Sequence, residues 1–299
     1  MTAPRRVLPG TICLFTRRCS HGQFFLRPSK ATTQLLGYLL AVAAERYRID
    51  IHAFCAMSNH IHIVLTDRDA RVPGFSRFFD SLVGRAMNFR LRRSEHFWAP
   101  HSFSAVALTQ PADVVSKIIY TLANPVSAGL VCRGELWPGL WSAPRDLGGA
   151  PLEFKRPDDF FRKSGATSLP ARASLRLTAP AGFDPAWLRK ELSTGLEARE
   201  QTAALELAAC GRGFMGVRRV LAQSPHASPN QGKPRAGFNP RVACKDKWRR
   251  IQALGQLVTF LRDYRRALEA WRSGAARVLF PAGTYLMRVL HNAPCEAPG

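Results

Sequence analysis

The chain has 299 residues, 46% of them hydrophobic, enough for a buried core and against disorder over its whole length. Its 43 Lys and Arg outweigh 21 Asp and Glu for a net charge of +22, so the expected partner is a polyanion: nucleic acid first, an anionic membrane surface second. No uncharged run of about 18 apolar residues occurs, which argues against a helical membrane span. The seven cysteines are widely spaced with no CxxC pair, which argues against a disulfide scaffold or a cysteine zinc site.

In chain order, residues 11–18 (TICLFTRR) predict a strand, and 31–47 an amphipathic helix on Leu35, Leu36, Leu39, Leu40 and Ala43. A strand at 50–57, a Ser58-Asn59 turn and a strand at 60–66 follow, then a basic helix at 75–93 and a strand at 102–108. Pro111 opens a helix that runs to Asn124 and stops before Pro125. The order β-α-β-β-α-β plus a helix is that of an α+β, ferredoxin-like antiparallel sheet backed by helices. This domain is expected over 8–142. A Pro/Gly/Arg-rich connector is expected over 143–182, and a mainly helical, basic C-terminal region over 183–299. Within that region we expect helices across 183–223, a loop at 224–240 and a long basic helix at 244–273. Ile251, Leu254, Leu257, Val258 and Leu261 mark one face of that last helix. Its Lys and Arg residues form either a solvated face or a contact to DNA backbone. The opening MTAPRRVLPG has no long apolar core of a signal peptide, so the expected location is a reducing cytoplasm, at the nucleoid.

Side chains alternate across a strand, so His60 and His62 share one face while Ile61, Ile63 and Leu65 point to the other. Two imidazoles so placed can reach one divalent ion, but they can equally be two surface histidines. His52 has no matching partner and is the weaker candidate. On the 111–124 helix, Val114, Ile118 and Leu122 form the buried stripe, and Tyr120 lies about 200° round from Ile118. Asn124, four residues on, stands above Tyr120 on the same face. A tyrosine so placed is either a rim residue or a phenol activated by a nearby metal and hydrogen-bonding partner. In the second case His60, His62 and the Asn124 amide oxygen form a three-ligand site with positions open to phosphate.

These residues carry a resemblance. The run from Met57 through Leu65 (MSNHIHIVL) resembles the MPNHxHhhh segment of the single-tyrosine HUH transposases. The run from Tyr120 through Val131 (YTLANPVSAGLV) resembles their segment ending in NPVRAGLV, in the form found in IS200-like, REP-associated tyrosine transposases. Thr16-Arg17-Arg18, the stretch from Gly22 to Leu26, and Phe97-Trp98 fit the same pattern. The resemblance covers roughly residues 8–142. It implies that His60 and His62 bind Mg²⁺ or Mn²⁺, with Asn124 as third ligand and Tyr120 as nucleophile. It also implies a ferredoxin-like fold, a single-stranded DNA partner that includes hairpin repeats, and in many members a homodimer. Ser58 stands where the family has Pro, and Ser127 where it has Arg. The first change keeps a good turn former; the second removes a candidate DNA contact.

From these expectations follows a basic groove of Arg17, Arg18, Arg85, Arg90, Arg92 and Arg93. Phe97 and Trp98 serve there either as stacking platforms or as core. The expected reaction is metal-dependent cleavage and strand transfer through a covalent 5′-phosphotyrosine. The competing readings are a non-catalytic protein that recognises repeat DNA, an RNA-binding module, and a hydrolase that makes no use of Tyr120.

Overall fold

The computed structural model describes residues 4–100, 102–161, 169–229 and 240–298. Parts of two expected segments, 162–168 of the connector and 230–239 of the loop, lie outside the described residues.

The first strand, β1, spans Thr11–Arg18. Helix α1 spans Lys30–Tyr47, started by the Ser29 hydroxyl, which accepts the Thr32 N–H at 3.0 Å. Strands β2 (Ile49–Ala56) and β3 (His60–Asp67) follow, with a register shift between Ile51 and Ala53. Helix α2 (Val72–Arg90) begins three residues earlier than the apolar periodicity suggests. The reason is Asp67, whose carboxylate accepts the Arg71 and Val72 N–H groups at 2.7 and 2.8 Å and so fixes the first turn. Strand β4 (Ser104–Leu108) leads into α3 (Pro111–Leu122) and the single turn α4 (Asn124–Ser127). Beyond lie β5 (Leu152–Lys155), β6 (Arg172–Leu175), α5 (Pro185–Ala209), α6 (Val217–Ala222), β7 (Val242–Ala243), α7 (Lys247–Arg272) and α8 (Leu286–His291).

Among the described residues the main sheet has the order β2-β3-β1-β4-β7, and its first four strands are antiparallel. This is the expected α+β, ferredoxin-like arrangement. The added edge strand β7 runs parallel to β4 and is two residues long, too short to leave a period in the sequence.

Both faces of the sheet are covered. Phe15 and Ile63 are register partners, and the Phe15 ring meets Phe75 of α2 edge-on, with centroids 5.8 Å apart. Ile61, Ile63 and Leu65 are buried as expected. Full burial of such side chains stabilises by about 1.5–3 kcal/mol each. Val64, on the opposite face, is buried as well, because α3 lies against β2 and β3 there. The strand that carries the histidines is therefore sandwiched rather than half-solvated.

The expected connector is folded onto this body. Strands β5 and β6 form a hairpin that packs on α1. Gly37 of α1 is needed at that contact: a Cβ there would collide with the Phe154 ring. The Tyr38 hydroxyl donates to the Pro170 carbonyl at 2.6 Å. Helix α5 packs on α3 through Leu188, Leu192 and Leu196.

The long basic helix α7 departs from expectation. Ile251, Leu254 and Val258 are exposed, and the face that packs carries Phe260, Tyr264, Ala267 and Leu268 against Phe280 and Met287. Its burial depends on the distant 278–293 segment, whose contact no local periodicity encodes. No helix among the described residues is long and apolar enough to cross a membrane.

Candidate active site

The turn between β2 and β3 places the first histidine. Met57 N–H donates to the His60 carbonyl at 2.8 Å and closes the turn. The loop after β1 holds it from outside. Cys19 N–H donates to the Asn59 carbonyl and Leu26 N–H to the Ser58 carbonyl, each at 2.8 Å. The Asn59 amide donates to the Gly22 carbonyl at 3.0 Å. Asn59 also fixes the ring that follows it: its Oδ1 lies 2.7 Å from His60 Nδ1. On β1, Thr16 is the register partner of His62, and its hydroxyl lies 2.9 Å from His62 Nδ1. Each imidazole is thus gripped at Nδ1 by a polar neighbour, the support that orients metal-binding histidines elsewhere. The two rings stand edge to face with centroids 4.7 Å apart.

Helix α3 brings the phenol to this pair. The buried stripe Val114, Ile118 and Leu122 anchors the helix, and Tyr120 faces away from it, 46% exposed. The Tyr120 ring lies against His62, centroids 5.3 Å apart and planes at 74°. The helix ends at Leu122, where the Trp141 indole donates to its carbonyl at 2.9 Å; α4 restarts one residue later at Asn124. Asn124 is buried, and its side chain lies close enough to the His60 ring to raise its pKa. All four residues singled out from the sequence, His60, His62, Tyr120 and Asn124, therefore meet in one place.

Burial keeps both imidazoles neutral. It pushes His60 down to about 4, helped by Arg18 and opposed by the neighbouring Asn124 side chain, which favours the charged ring. His62 is held well below its ordinary value by burial first, then by His60, Arg18 and Lys117. Neutral imidazoles have lone pairs free for a cation at neutral pH. Among the described residues no group of three His, Cys, Asp and Glu is placed to hold a metal ion; the neutral side chain beside the histidine pair is that of Asn124. Two neutral nitrogens and a neutral oxygen fit a labile divalent ion that keeps open positions, and they do not form a closed zinc site.

His52 is buried and satisfied. Its Nδ1 lies 2.6 Å from the Thr178 carbonyl and its Nε2 2.7 Å from the Thr66 hydroxyl, and burial lowers its pKa to about 4. The unfolded chain takes up this proton near pH 6.5, whereas the folded chain holds out to about pH 4. Stability is therefore fully present above pH 6.5 and falls as the pH drops towards 4, by on the order of 2–3 kcal/mol from this residue alone. Melting curves at pH 7 and pH 4.5 test this: the drop in Tm should be smaller for His52→Gln than for the parent. Equal drops would show that His52 is not the group that charges.

The candidate DNA-binding residues divide. Arg18, Arg85 and Arg92 are exposed, and Arg18 is the register partner of His60. Arg17 is committed inside: it pairs with the buried Asp80 at 3.3 Å, donates to the Ser102 hydroxyl at 3.1 Å and covers the Trp98 ring. Arg90 makes a two-pronged pair with Asp159, and Arg93 lies over the Phe25 ring and pairs with Glu95. Phe97 and Trp98 are core, 4% and 8% exposed, with the Trp98 indole donating to the Asp80 carbonyl at 2.8 Å. Neither can stack on a base, because Phe25, Phe97 and Trp98 occupy one another's faces.

Sequence reasoning missed three neighbours of the site. Thr16 and Asn59 stand in the motifs quoted above, but their contacts to the two rings become visible only through the β1–β3 register and the turn geometry. Lys117, with Nζ 5.4 Å from the Tyr120 ring centre, could have been found from its position three residues before Tyr120 on a helix.

No family model and no curated protein matches the chain. Among solved structures it is similar to a REP-associated tyrosine transposase bound to a REP hairpin, with a TM-score of 0.42 and 21% identity over 49% of this chain and 85% of that one. It is also similar to a chain of Deinococcus radiodurans R1 provisionally described as a transposase, with a TM-score of 0.28 and 15% identity over 42% of this chain and 97% of that one.

Proposed function

We propose that the chain is a divalent-metal-dependent transposase and endonuclease of single-stranded DNA, with Tyr120 as nucleophile and His60, His62 and Asn124 as metal ligands. The observation that carries this reading is the meeting of the Tyr120 ring with His62 at 5.3 Å, with His60 and the buried Asn124 beside them. The Tyr120 phenol is half exposed, and its ring meets one neutral imidazole of the pair and the Lys117 ammonium rather than the apolar core.

His60, His62 and Asn124 would hold Mg²⁺ or Mn²⁺, which would supply Lewis-acid polarisation of a bound phosphate. Thr16 and Asn59 keep the two rings in one orientation. Arg18 and Lys117 add positive charge on either side of the pair and attract the phosphate backbone. The Tyr120 oxygen forms a bond to phosphorus, the bond from phosphorus to the 3′ oxygen breaks with its electron pair on that oxygen, and the oxygen takes a proton from solvent so that the released strand leaves as a 3′-hydroxyl. The phenol proton passes to solvent, to which the half-exposed Tyr120 is open. The 5′-phosphotyrosine ester keeps the energy of the broken linkage, so a second 3′-hydroxyl can reverse the step without ATP. Joining to a different strand amounts to DNA transposition. The substrate class is single-stranded DNA carrying hairpin repeats, which the net charge of +22 favours as a polyanion.

The direct test incubates 3′-end-labelled, hairpin-bearing single strands with protein and Mn²⁺, then runs a denaturing gel. Label should migrate with the protein, and EDTA should abolish it. Free cleaved products without any labelled protein would mean hydrolysis that bypasses Tyr120.

A further inference from the structure

The sequence offers Phe97 and Trp98 as aromatic surface for DNA bases, and the core takes both. An exposed aromatic surface exists elsewhere, beside the same helix that carries Tyr120. Helices α3 and α5 touch where Gly195 faces Ile119, so closely that a Cβ on Gly195 would collide with that side chain. Towards the N-terminal halves of the two helices an open groove of about 470 Å³ separates them, a size typical of small-ligand sites. Val115 and Ile119 give it an apolar floor. Trp187 stands on its rim, 51% exposed and stacked on Phe183, with centroids 6.2 Å apart and planes at 26°. The packing of α5 does not require a tryptophan there, because its buried stripe is Leu188, Leu192 and Leu196. Glu191, one turn after Trp187, and Lys245 complete the walls.

We propose that this groove is a slot for an unpaired nucleobase of the DNA strand that runs over Tyr120. The inference rests on the reading of Tyr120 as the DNA-cleaving residue. An indole face takes a flat aromatic ring of any base. The Glu191 carboxylate is an acceptor for an exocyclic amino group, as acidic residues are for cytosine. The Lys245 ammonium suits the phosphate attached to the same nucleotide. An apolar peptide segment would leave both charged groups unused, and a second copy of a chain with net charge +22 would bring like charge to Lys245. Ser116, which lines the groove, lies one helical turn before Tyr120 on the same face of α3. The Ser116 wall of the slot is thus offset from Tyr120 by about 6 Å along the helix, within reach of a nucleotide adjoining the scissile phosphate.

The test uses the full chain with Tyr120→Phe to prevent cleavage, and reads the affinity for a labelled single strand and for the matching duplex. Adding Trp187→Ala should weaken single-strand binding about tenfold or more, while Trp187→Phe, which keeps a ring, should retain most of it. Duplex affinity should not change, because paired bases cannot enter the slot. Trp187 is exposed, so folding should be preserved, and matching melting curves check this. Unchanged single-strand affinity for Trp187→Ala would overturn the proposal, as would an equal loss on duplex. Unchanged affinity together with a Trp187-dependent dimer in sedimentation would assign the groove to a second copy instead. With Tyr120 restored, the DNA concentration that gives half-maximal adduct should rise about tenfold in Trp187→Ala. If the parent itself forms no adduct, the reading of Tyr120 fails while the binding result for the slot still stands.

Discussion

Tyr120→Phe removes the labelled DNA–protein adduct and lowers strand cleavage by about three orders of magnitude or more, while single-strand affinity stays close to that of the parent. The change deletes one oxygen from a side chain that is half exposed and whose ring contacts are to His62 and Lys117. The ring contact survives in phenylalanine, so neither fold nor groove should shift, and the melting temperature should hold. What disappears is the atom that bonds phosphorus. A denaturing gel with 3′-end-labelled DNA reads the adduct, and fluorescence anisotropy reads the binding. Adduct at the parent level would place the nucleophile on another residue, and loss of binding in step with cleavage would make Tyr120 a DNA contact rather than a nucleophile.

Replacing His60 or His62 by alanine should lower cleavage on the order of a hundredfold or more each, and changing both should remove the response to Mn²⁺. The two positions differ in structural cost. His62 is buried, and its loss leaves the Thr16 hydroxyl without its ring partner, a penalty of about 1–3 kcal/mol. His60 is half-buried at the mouth of the turn, where Asn59 and Asn124 remain to bond each other or water. Stability should therefore fall more for His62→Ala than for His60→Ala, while cleavage falls for both. Calorimetric titration with Mn²⁺ separates the two effects: the parent should take up the ion and the double variant should not, with DNA affinity in EDTA similar for both. Cleavage that survives both substitutions and excess EDTA would remove the metal from the reaction.

Much of the ferredoxin-like half was legible in the sequence, because its elements are long enough to carry a period. The strand at 11–18 and the helix ending at Tyr47 fall where alternation and 3.6-residue spacing put them. The pairing of His60 with His62 follows from strand alternation, and the outward turn of Tyr120 from the Val114, Ile118 and Leu122 stripe. Their meeting in space did not follow. It depends on α3 crossing β2 and β3, a contact between segments about sixty residues apart that only the motif resemblance suggested. The arginine groove was legible only in composition: charge reveals a basic chain but not that Arg17, Arg90 and Arg93 are spent on Asp80, Asp159 and Glu95. The β5–β6 hairpin was hidden because four-residue strands in a Pro- and Gly-rich stretch show no reliable alternation. The exposed face of α7 was misassigned for a related reason: an amphipathic pattern says that a helix has an apolar side, not what covers it.

The central claim is chemical: one phenol takes the DNA strand onto itself. The most direct measurement incubates the parent protein with a labelled, hairpin-bearing single strand and Mn²⁺, digests the trapped adduct with protease and nuclease, and identifies the modified peptide by mass spectrometry. The account predicts a nucleotide phosphate on Tyr120, in the peptide that follows Lys117, and no such mass when EDTA is present. A nucleotide on any other residue, or cleavage of the strand with no modified peptide, would contradict it.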